Sequence, residues 1–378
     1  MAKDNLIFIH KLIKAIADAI IIVFIPLYIL KSTNDINLSM LYLISFSVFV
    51  ILFMLIFRKI IQKYGVICIM LHFIPIIITE ALLSFVEINF INVIICSSLM
   101  GLAQALYSIP LNLIFTFGDK KTNVGKFMIA TNIGKLLFTL ASGLILANVE
   151  SSFIVLSIIS SSFYIICVIP LIFAYKELKE RYNKIDNNEV APRVDKWFVI
   201  FHMTFGLFQP IMDNVVPLFL YINNLSFQAV TIFIVLIEFL NILTNYISQV
   251  LVRKNKEIIC ATVSFLLFFI SIICIIFVKN DIALFIFSTL CALSFPLTFV
   301  PMFGAFCKYI IKNNNVFSAM TDRDFEIFSL RAPMYGLSYI GFGLYPCLIV
   351  GIIVVPIMFI SELKIIKKNK EIEWWKIY

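Results

Sequence analysis

Charged residues are scarce in this sequence. Only 14% of its 378 residues are Asp, Glu, Lys or Arg, whereas a soluble globular domain has about 25%. Hydrophobic residues reach 62%, well above the roughly 45–50% of soluble proteins. This composition excludes a soluble globular protein. The apolar runs are about 20 residues long and lack the alternation of barrel strands, so they predict membrane-spanning helices.

Histidine is also rare, and the motifs of soluble chemistry are missing. The chain has three histidines, His10, His72 and His202, and no HExxH pair, phosphate-binding glycine loop or GxSxG elbow. These absences argue against a zinc hydrolase, a nucleotide-driven pump and a serine hydrolase. We therefore predict that the protein is not an enzyme and uses no cofactor or metal. The eight cysteines lie in or beside apolar runs without a CxxC pair, a pattern typical of buried free thiols.

Basic residues cluster on alternate loops of the predicted membrane protein. Polar clusters divide the chain into twelve candidate spans, at residues 11–30, 39–57, 66–85, 89–116, 127–147, 152–174, 197–220, 227–251, 257–278, 282–306, 326–344 and 346–363. Most of the 30 basic residues fall in one alternate set of connections, so the positive-inside rule places both termini in the cytoplasm. The net charge of +8 reflects this bias and an attraction to anionic lipids. We predict a multi-pass protein of the cell membrane, with no need for nucleic-acid binding.

Residue spacing predicts that one half of the chain is a copy of the other. Three pairs of residues are separated by the same 191 positions: Pro26 with Pro217, Pro110 with Pro301, and Lys63 with Lys254. Matches in register favour an internal repeat, although isoleucine-rich helices also resemble each other through composition alone. We predict a six-helix bundle at 1–174, a cytoplasmic linker at 175–196 and a second bundle, with a short cytoplasmic tail, at 197–378. Repeats of this kind place a transporter's substrate site between the halves.

Twelve predicted helices, a polar central linker and a duplicated half resemble the major facilitator superfamily over the whole chain. That family carries a motif of glycine, aspartate and basic residues between its second and third helices. Here Lys63 and Gly65 match the motif, while Gln62 stands at the acidic position. The resemblance implies an all-α integral membrane protein with twelve transmembrane helices in two pseudo-symmetric six-helix bundles. Hydropathy alone also leaves open other folds with about twelve helices, such as multidrug and lipid flippases.

The resemblance also implies functional positions. Lys63 and Gly65 would belong to a gating loop, and the fourth span, with its small residues and Pro110, resembles a cavity-lining helix. Gln104 and Asn112 on that span are therefore candidates for the substrate cavity.

Ionisable residues inside apolar spans are costly and mark candidate sites. Six of them stand out: Asp18, Glu80, Lys135, Asp213, Glu238 and Arg331. Asp213 lies near the middle of the seventh span, with no basic neighbour on its own helix, as expected for a proton-carrying carboxylate. Alternatively, its carboxylate caps a kink between Pro210 and Pro217.

Glu238 and Asp18 are the other candidates for proton coupling. Lys14 and Asp18 are four residues apart and share a helix face, so they are also compatible with a simple ion pair. Glu80 is expected near the outer end of the third span, where its carboxylate can reach water. His72 is expected to be packed in the core or on the cytoplasmic side.

Polar stripes on several spans predict a cavity between the halves. Glu238, Asn241 and Asn245 share one face of the eighth span, which lipid cannot cover. Lys135 and Arg331 lie on corresponding helices of the two halves and are expected to face a common ligand. Alternatively, Lys135 pairs with Glu238 or Asp213, and Arg331 lies at the cytoplasmic interface. The candidate cavity residues are Lys135, Arg331, Asn132, Gln104, Asn112, Gln209, Asn241, Asn245 and Tyr335.

These features predict a secondary transporter driven by a proton gradient and working by alternating access. We expect a cavity with few charges and a small amphipathic substrate, which favours export. An importer of an organic anion or other small metabolite and a lipid flippase are alternatives. A membrane-embedded transferase is a rival from another class, but it would need acids beside a large loop, whereas the acids here lie inside the spans. A scaffold or sensor descended from a transporter is a third class. We expect the partners to be a small molecule, protons and membrane lipids, and the protein to be a monomer.

Overall fold

The computed structural model describes residues 2–116, 124–149, 152–183, 194–278, 280–312 and 316–371. Within these ranges the chain forms α-helices joined by short 3-10 or π-helical turns and brief loops, with no strand. The positions 184–193 of the predicted linker lie outside the described residues. The all-helical membrane fold predicted from the apolar runs is confirmed.

Helices before the linker alternate between continuous and interrupted segments. In chain order they are α1 Ala2–Ile20, α2 Ile25–Thr33, α3 Ile36–Leu71, α4 Phe73–Phe85, α5 Phe90–Thr116, α6 Val124–Asn148 and α7 Ser152–Asn183. The second and third predicted spans are joined here, because α3 continues through the basic loop and is only kinked at Tyr64 (φ −124°, ψ 27°). Positions 175–183, which the sequence assigned to the linker, continue α7 as helix.

Helices after the linker follow a similar order. They are α8 Lys196–Pro210, α9 Val216–Ile222, α10 Phe227–Arg253, α11 Glu257–Phe277, α12 Asp281–Ala292, α13 Ser294–Lys312, α14 Val316–Ser329, α15 Arg331–Leu337 and α16 Tyr345–Glu371. The helical segment that contains the predicted eleventh span begins before it, with α14 at Val316. Its polar first turns are stabilised by packing against α3 and α8, which hydropathy does not detect.

Among the described residues, nine helical segments are long and apolar enough to cross a membrane, and Phe73–Phe85 is a shorter apolar helix. Large apolar side chains such as Leu137, Phe173 and Phe277 are more than two-thirds exposed, as expected for a surface that faces lipid. The full count of twelve spans also requires α6 and the α14–α15 segment, and it stays a prediction.

Several helices begin at a residue whose side chain caps the first turn. Asp35 accepts a hydrogen bond from the Asn37 amide at 2.8 Å, and Asp195 accepts one from Trp197 at 2.9 Å. Ser226 similarly caps α10. Such caps satisfy amides that have no partner within the helix, and they are readable from sequence.

The first and seventh predicted spans are interrupted at equivalent places. A 3-10 turn at Ile22–Phe24 separates α1 from α2, which begins Ile25-Pro26. A π-helical turn at Ile211–Val215 separates α8 from α9, which begins Val216-Pro217. Proline has no amide hydrogen for the carbonyl four residues earlier, so it loosens the preceding turn. The two starts differ by 216 − 25 = 191 positions, the offset found in the sequence.

Helices on each side of the linker pack mainly among themselves. Before the linker, α1 packs on α6 and α7, and α3 packs on α5; after it, α16 packs on α8 and α11. Contacts between the two groups are made chiefly by α6 with α10 and by α3 with α14 and α15. This arrangement is compatible with the predicted pair of bundles, whose boundaries stay a prediction.

Candidate functional site

A cavity of about 340 Å³ lies where the two groups of helices meet. It is lined by residues from α1, α3, α4, α5, α6, α10 and the interrupted α8–α9 segment. Its polar and ionisable lining residues are Lys14, Asp18, His72, Gln104, Tyr107, Lys135, Asp213, Asn214, Glu238 and Asn241. Both helix breaks reach this wall, through Ile22 and Val23 on one side and Met212 to Asn214 on the other.

Asp213 lies in the π-helical turn and exposes its side chain to the cavity. Its carboxylate accepts a hydrogen bond from Gln209 Nε2 at 3.1 Å. Lys135 and Arg331 are near enough to attract it electrostatically, but neither forms an ion pair with it among the described residues. Turns of this type are frequent at functional sites, because they redirect side chains out of the regular helix. The turn thus presents a carboxylate that is held by one neutral amide.

Lys135 and Glu238 face each other across the contact between α6 and α10. The distance from Lys135 Nζ to Glu238 Oε1 is 3.8 Å, and the side chains are 24% and 14% exposed. Since α6 precedes the linker and α10 follows it, this ion pair joins the two groups of helices. The observed geometry therefore agrees with the alternative prediction, in which Lys135 pairs with Glu238.

Asp18 is more tightly held than the other two cavity carboxylates. Lys14 Nζ contacts its two oxygens at 2.8 and 2.7 Å, and the Tyr164 hydroxyl donates to it. Lys14 also lies 4.5 Å from the centre of the Tyr107 ring. The predicted Lys14–Asp18 pair is present, but it borders the cavity and is supported by two further helices.

The cavity wall carries three carboxylates, Asp18, Asp213 and Glu238, against two ammonium groups, Lys14 and Lys135. Fully ionised, these groups sum to 2 − 3 = −1. The sequence predicted a cavity with few charges, and that expectation was wrong. A bound proton, or a ligand with one positive charge, would balance the wall.

Several predicted cavity residues form a layer behind the wall. Arg331 donates from Nε to the Gly206 carbonyl at 3.1 Å and from Nη2 to Gln209 Oε1 at 2.9 Å. Gln209 thereby connects Arg331 to Asp213. Arg331 is buried, so it neither lines the cavity nor reaches an interface, contrary to both sequence interpretations. Tyr335 accepts a hydrogen bond from Asn214 Nδ2 at 3.2 Å and is likewise one layer back.

Three amide candidates lie away from the lining residues. Asn245 is buried and donates to the Asn241 carbonyl at 2.7 Å, and Asn132 is buried on α6. Asn112 is partly buried on α5 and is absent from the cavity wall. Of the polar candidates on this helix, Gln104 does line the cavity.

Glu80 does not reach water, contrary to the sequence expectation. It is fully buried, and its carboxylate accepts hydrogen bonds from Ser160 at 2.6 Å and Ser161 at 2.8 Å. The error arose because sequence position gives depth along a span but not which helix covers the side chain. His72, expected to be packed in the core, is buried with His10 and Tyr107, at ring separations of 6.2 and 4.4 Å.

Sequence reasoning missed Asn214, Tyr107 and Tyr164. Tyr107 is three residues from Gln104 and therefore on the same helix face, a signal that would have found it. Tyr164 contacts Asp18 from a helix 146 positions away, and nothing in the local sequence indicates that contact. Lys63 and Gly65, the matched motif residues, lie beside the kink of α3 at a separate cavity. No group of three His, Cys, Asp or Glu side chains among the described residues could hold a metal ion.

Comparison with known proteins agrees with this architecture. A family model described as "Major Facilitator Superfamily" matches residues 7–321, more than four-fifths of the chain. No curated protein sequence matches the chain significantly.

Two solved structures are similar over nearly their whole length. The human organic anion transporter MFSD10 (TETRAN) has a TM-score of 0.63 at 9% identity, over 95% of this chain and 98% of that chain. A bacterial homologue of the iron transporter ferroportin, in an outward-facing state, has a TM-score of 0.67 at 10% identity, over 96% of this chain and 100% of that chain. At such low identity the likeness shows the fold alone.

Proposed function

Because this chain belongs to the major facilitator superfamily, and is thus a multi-pass membrane transporter of a small molecule, we propose that it couples transport to protons by alternating access. The cavity wall carries this proposal, since its three carboxylates exceed its two ammonium groups and Asp213 has no ion-pair partner among the described residues. In this mechanism Asp213 binds the proton in one access state and releases it in the other.

The charge balance also supports a substrate class and a direction. A ligand with a positively charged group and an apolar part would place its charge at Asp213 and its apolar part beside Ile22, Ile234 and Ile237. A proton and such a ligand compete for one carboxylate, and competition at one site produces exchange rather than co-transport. When the proton gradient is directed into the cell, exchange of the ligand for protons drives export of the ligand. The two structural neighbours are named for cargoes of opposite charge, an organic anion and iron. They therefore do not indicate whether the substrate of this protein is an anion or a cation.

Ligand binding tests this proposal directly. We expect a screen of metabolites, lipids and drugs by thermal stability of the purified protein to find a compound that raises the unfolding temperature. Its affinity should fall as the pH is lowered, because a proton then occupies the carboxylate it needs. In proteoliposomes the same compound should be exchanged for protons across an imposed pH gradient. Affinity that does not change with pH, or uptake together with protons, would contradict exchange at one site.

The side of the termini is also a proposal, supported by the distribution of basic residues. Single cysteines at the exposed positions Asn37 and Asp281 should react with an impermeant reagent in intact cells. Cysteines at the exposed positions Lys176 and Lys256 should react only after permeabilisation. Labelling of Lys176→Cys in intact cells would reverse the assignment.

A further inference from the structure

A second cavity, of about 300 Å³, lies at the kink of α3 where the last turns of α7 pack against it. It is separate from the central cavity, and the two share no lining residue. Its polar wall consists of two lysines, three tyrosines and an asparagine: Lys63, Lys179, Tyr64, Tyr175, Tyr182 and Asn183.

Gly65 and Tyr182 build the floor of this pocket. A Cβ atom at Gly65 would lie 2.2 Å from the Tyr182 ring, which is closer than any real contact. The Tyr182 hydroxyl donates to the Ile61 carbonyl at 2.6 Å, so the ring is fixed against the kink. A side chain at position 65 would displace the Tyr182 ring and fill the pocket. The close packing of this ring therefore requires glycine at position 65.

The two lysines at the pocket have no acidic partner among the described residues. Lys63 Nζ lies 5.1 Å from the Tyr64 ring centre, and Lys179 Nζ lies 5.9 Å from that of Tyr175. No Asp or Glu is among the lining residues. An anion bound in the pocket would lie near both ammonium groups and be attracted by each of them.

The position of the pocket indicates the source of the anion. Ile67 lines it and is 38% exposed, and Leu71, one turn further along α3, is 47% exposed. On α7, Phe173 is 74% exposed just before Tyr175. The pocket thus lies where an apolar, lipid-facing surface ends and the basic loops begin. Phospholipid headgroups are found at this level, and anionic ones are attracted there by lysines.

We propose that this pocket binds the headgroup phosphate of an anionic phospholipid. Lys63 and Lys179 contact the phosphate, the hydroxyls of Tyr64 and Tyr175 supply further hydrogen bonds, and an acyl chain follows the surface of Ile67 and Leu71. The lipid then bridges the kink of α3 and the end of α7, and so stabilises the kink beside which the motif residues Lys63 and Gly65 lie.

Lipid titration of the purified full-length protein in a zwitterionic detergent tests the site. Phosphatidylglycerol should raise the unfolding temperature at far lower concentration than phosphatidylcholine. The double variant Lys63→Gln/Lys179→Gln should weaken the apparent phosphatidylglycerol affinity about 25-fold, since each lysine near an anionic lipid surface contributes about fivefold. Lys176→Gln is the matched control, because this exposed lysine on α7 does not line the pocket, and its titration should be unchanged.

Two further arms distinguish the source of the anion. Inorganic phosphate and glycerol 3-phosphate carry the same charged group without an acyl chain and should not reproduce the stabilisation. Equal stabilisation by either of them would overturn the lipid assignment in favour of a soluble anion. An unchanged phosphatidylglycerol response in the folded double variant would overturn the site itself.

Discussion

Replacing Asp213 with asparagine is expected to abolish proton-driven accumulation of the substrate while leaving the protein folded. The amide has nearly the same shape and keeps a hydrogen bond with Gln209, but it cannot bind and release a proton. The π-helical turn that holds residue 213 depends on Pro217 and on packing of its neighbours, so it should persist. The cationic ligand loses the carboxylate that it shares with the proton, so its affinity should also fall, and transport against a gradient should fall to background in a proteoliposome assay.

The control for this experiment is Asp281→Asn, the same chemical change at an exposed helix start outside the cavity. It should keep full coupling. Accumulation at the wild-type level and with wild-type pH dependence in Asp213→Asn would remove Asp213 from the mechanism. If Glu238→Gln then lost coupling, the proton would be assigned to Glu238, which also lines the cavity and faces Lys135 at 3.8 Å.

Removing the amine of Lys135 is expected to destabilise the protein. Lys135→Met leaves Glu238 without the cation that faces it at 3.8 Å. Breaking a buried ion pair costs about 3–5 kcal/mol, and we expect the lower value because both side chains keep some exposure to the cavity. Thermal unfolding in detergent should show a clearly lower midpoint for this variant.

A double-variant comparison identifies the partner. Lys135→Met combined with Glu238→Gln should recover most of the lost stability, because no unpaired charge then remains. Lys135→Met combined with Asp213→Asn should recover less, since Asp213 forms no ion pair with Lys135. If Lys135 instead binds an anionic substrate, the single variant should stay stable and lose ligand affinity, an outcome that would refute the pairing.

The interruption of two helices shows how far sequence reasoning reached. Pro26 and Pro217 share the 191-position offset that predicted a repeat, and the structure has a helix break just before each of them. They did not reveal that one break is a 3-10 turn and the other a π-helical turn. That difference depends on how each segment packs. The sequence itself places an aspartate at 213 and an isoleucine at the corresponding position 22, and the π-helical turn exposes the Asp213 side chain to the cavity.

The candidate site was predictable in part. Charges within apolar spans identified Asp18, Lys135, Asp213 and Glu238, and all four line the cavity. The same reasoning also selected Arg331 and Glu80, which are buried behind other side chains. Hydropathy measures the cost of a charge in lipid, but hydrogen bonds from Ser160 and Ser161 offset that cost as well as a cavity does. The cost of placing a charge in lipid therefore does not distinguish a buried, hydrogen-bonded carboxylate from one that lines a cavity.

The sequence by itself determined that this protein is a helical membrane protein and predicted an internal repeat, because apolar length, charge bias and proline spacing are properties of single segments and their order. Only the tertiary structure decided which charges meet. The Lys135–Glu238 contact, the Tyr164 hydroxyl on Asp18 and the two-lysine pocket at the α3 kink each join helices that are distant in sequence. Such contacts depend on the rotation and approach of whole helices, which local patterns do not specify.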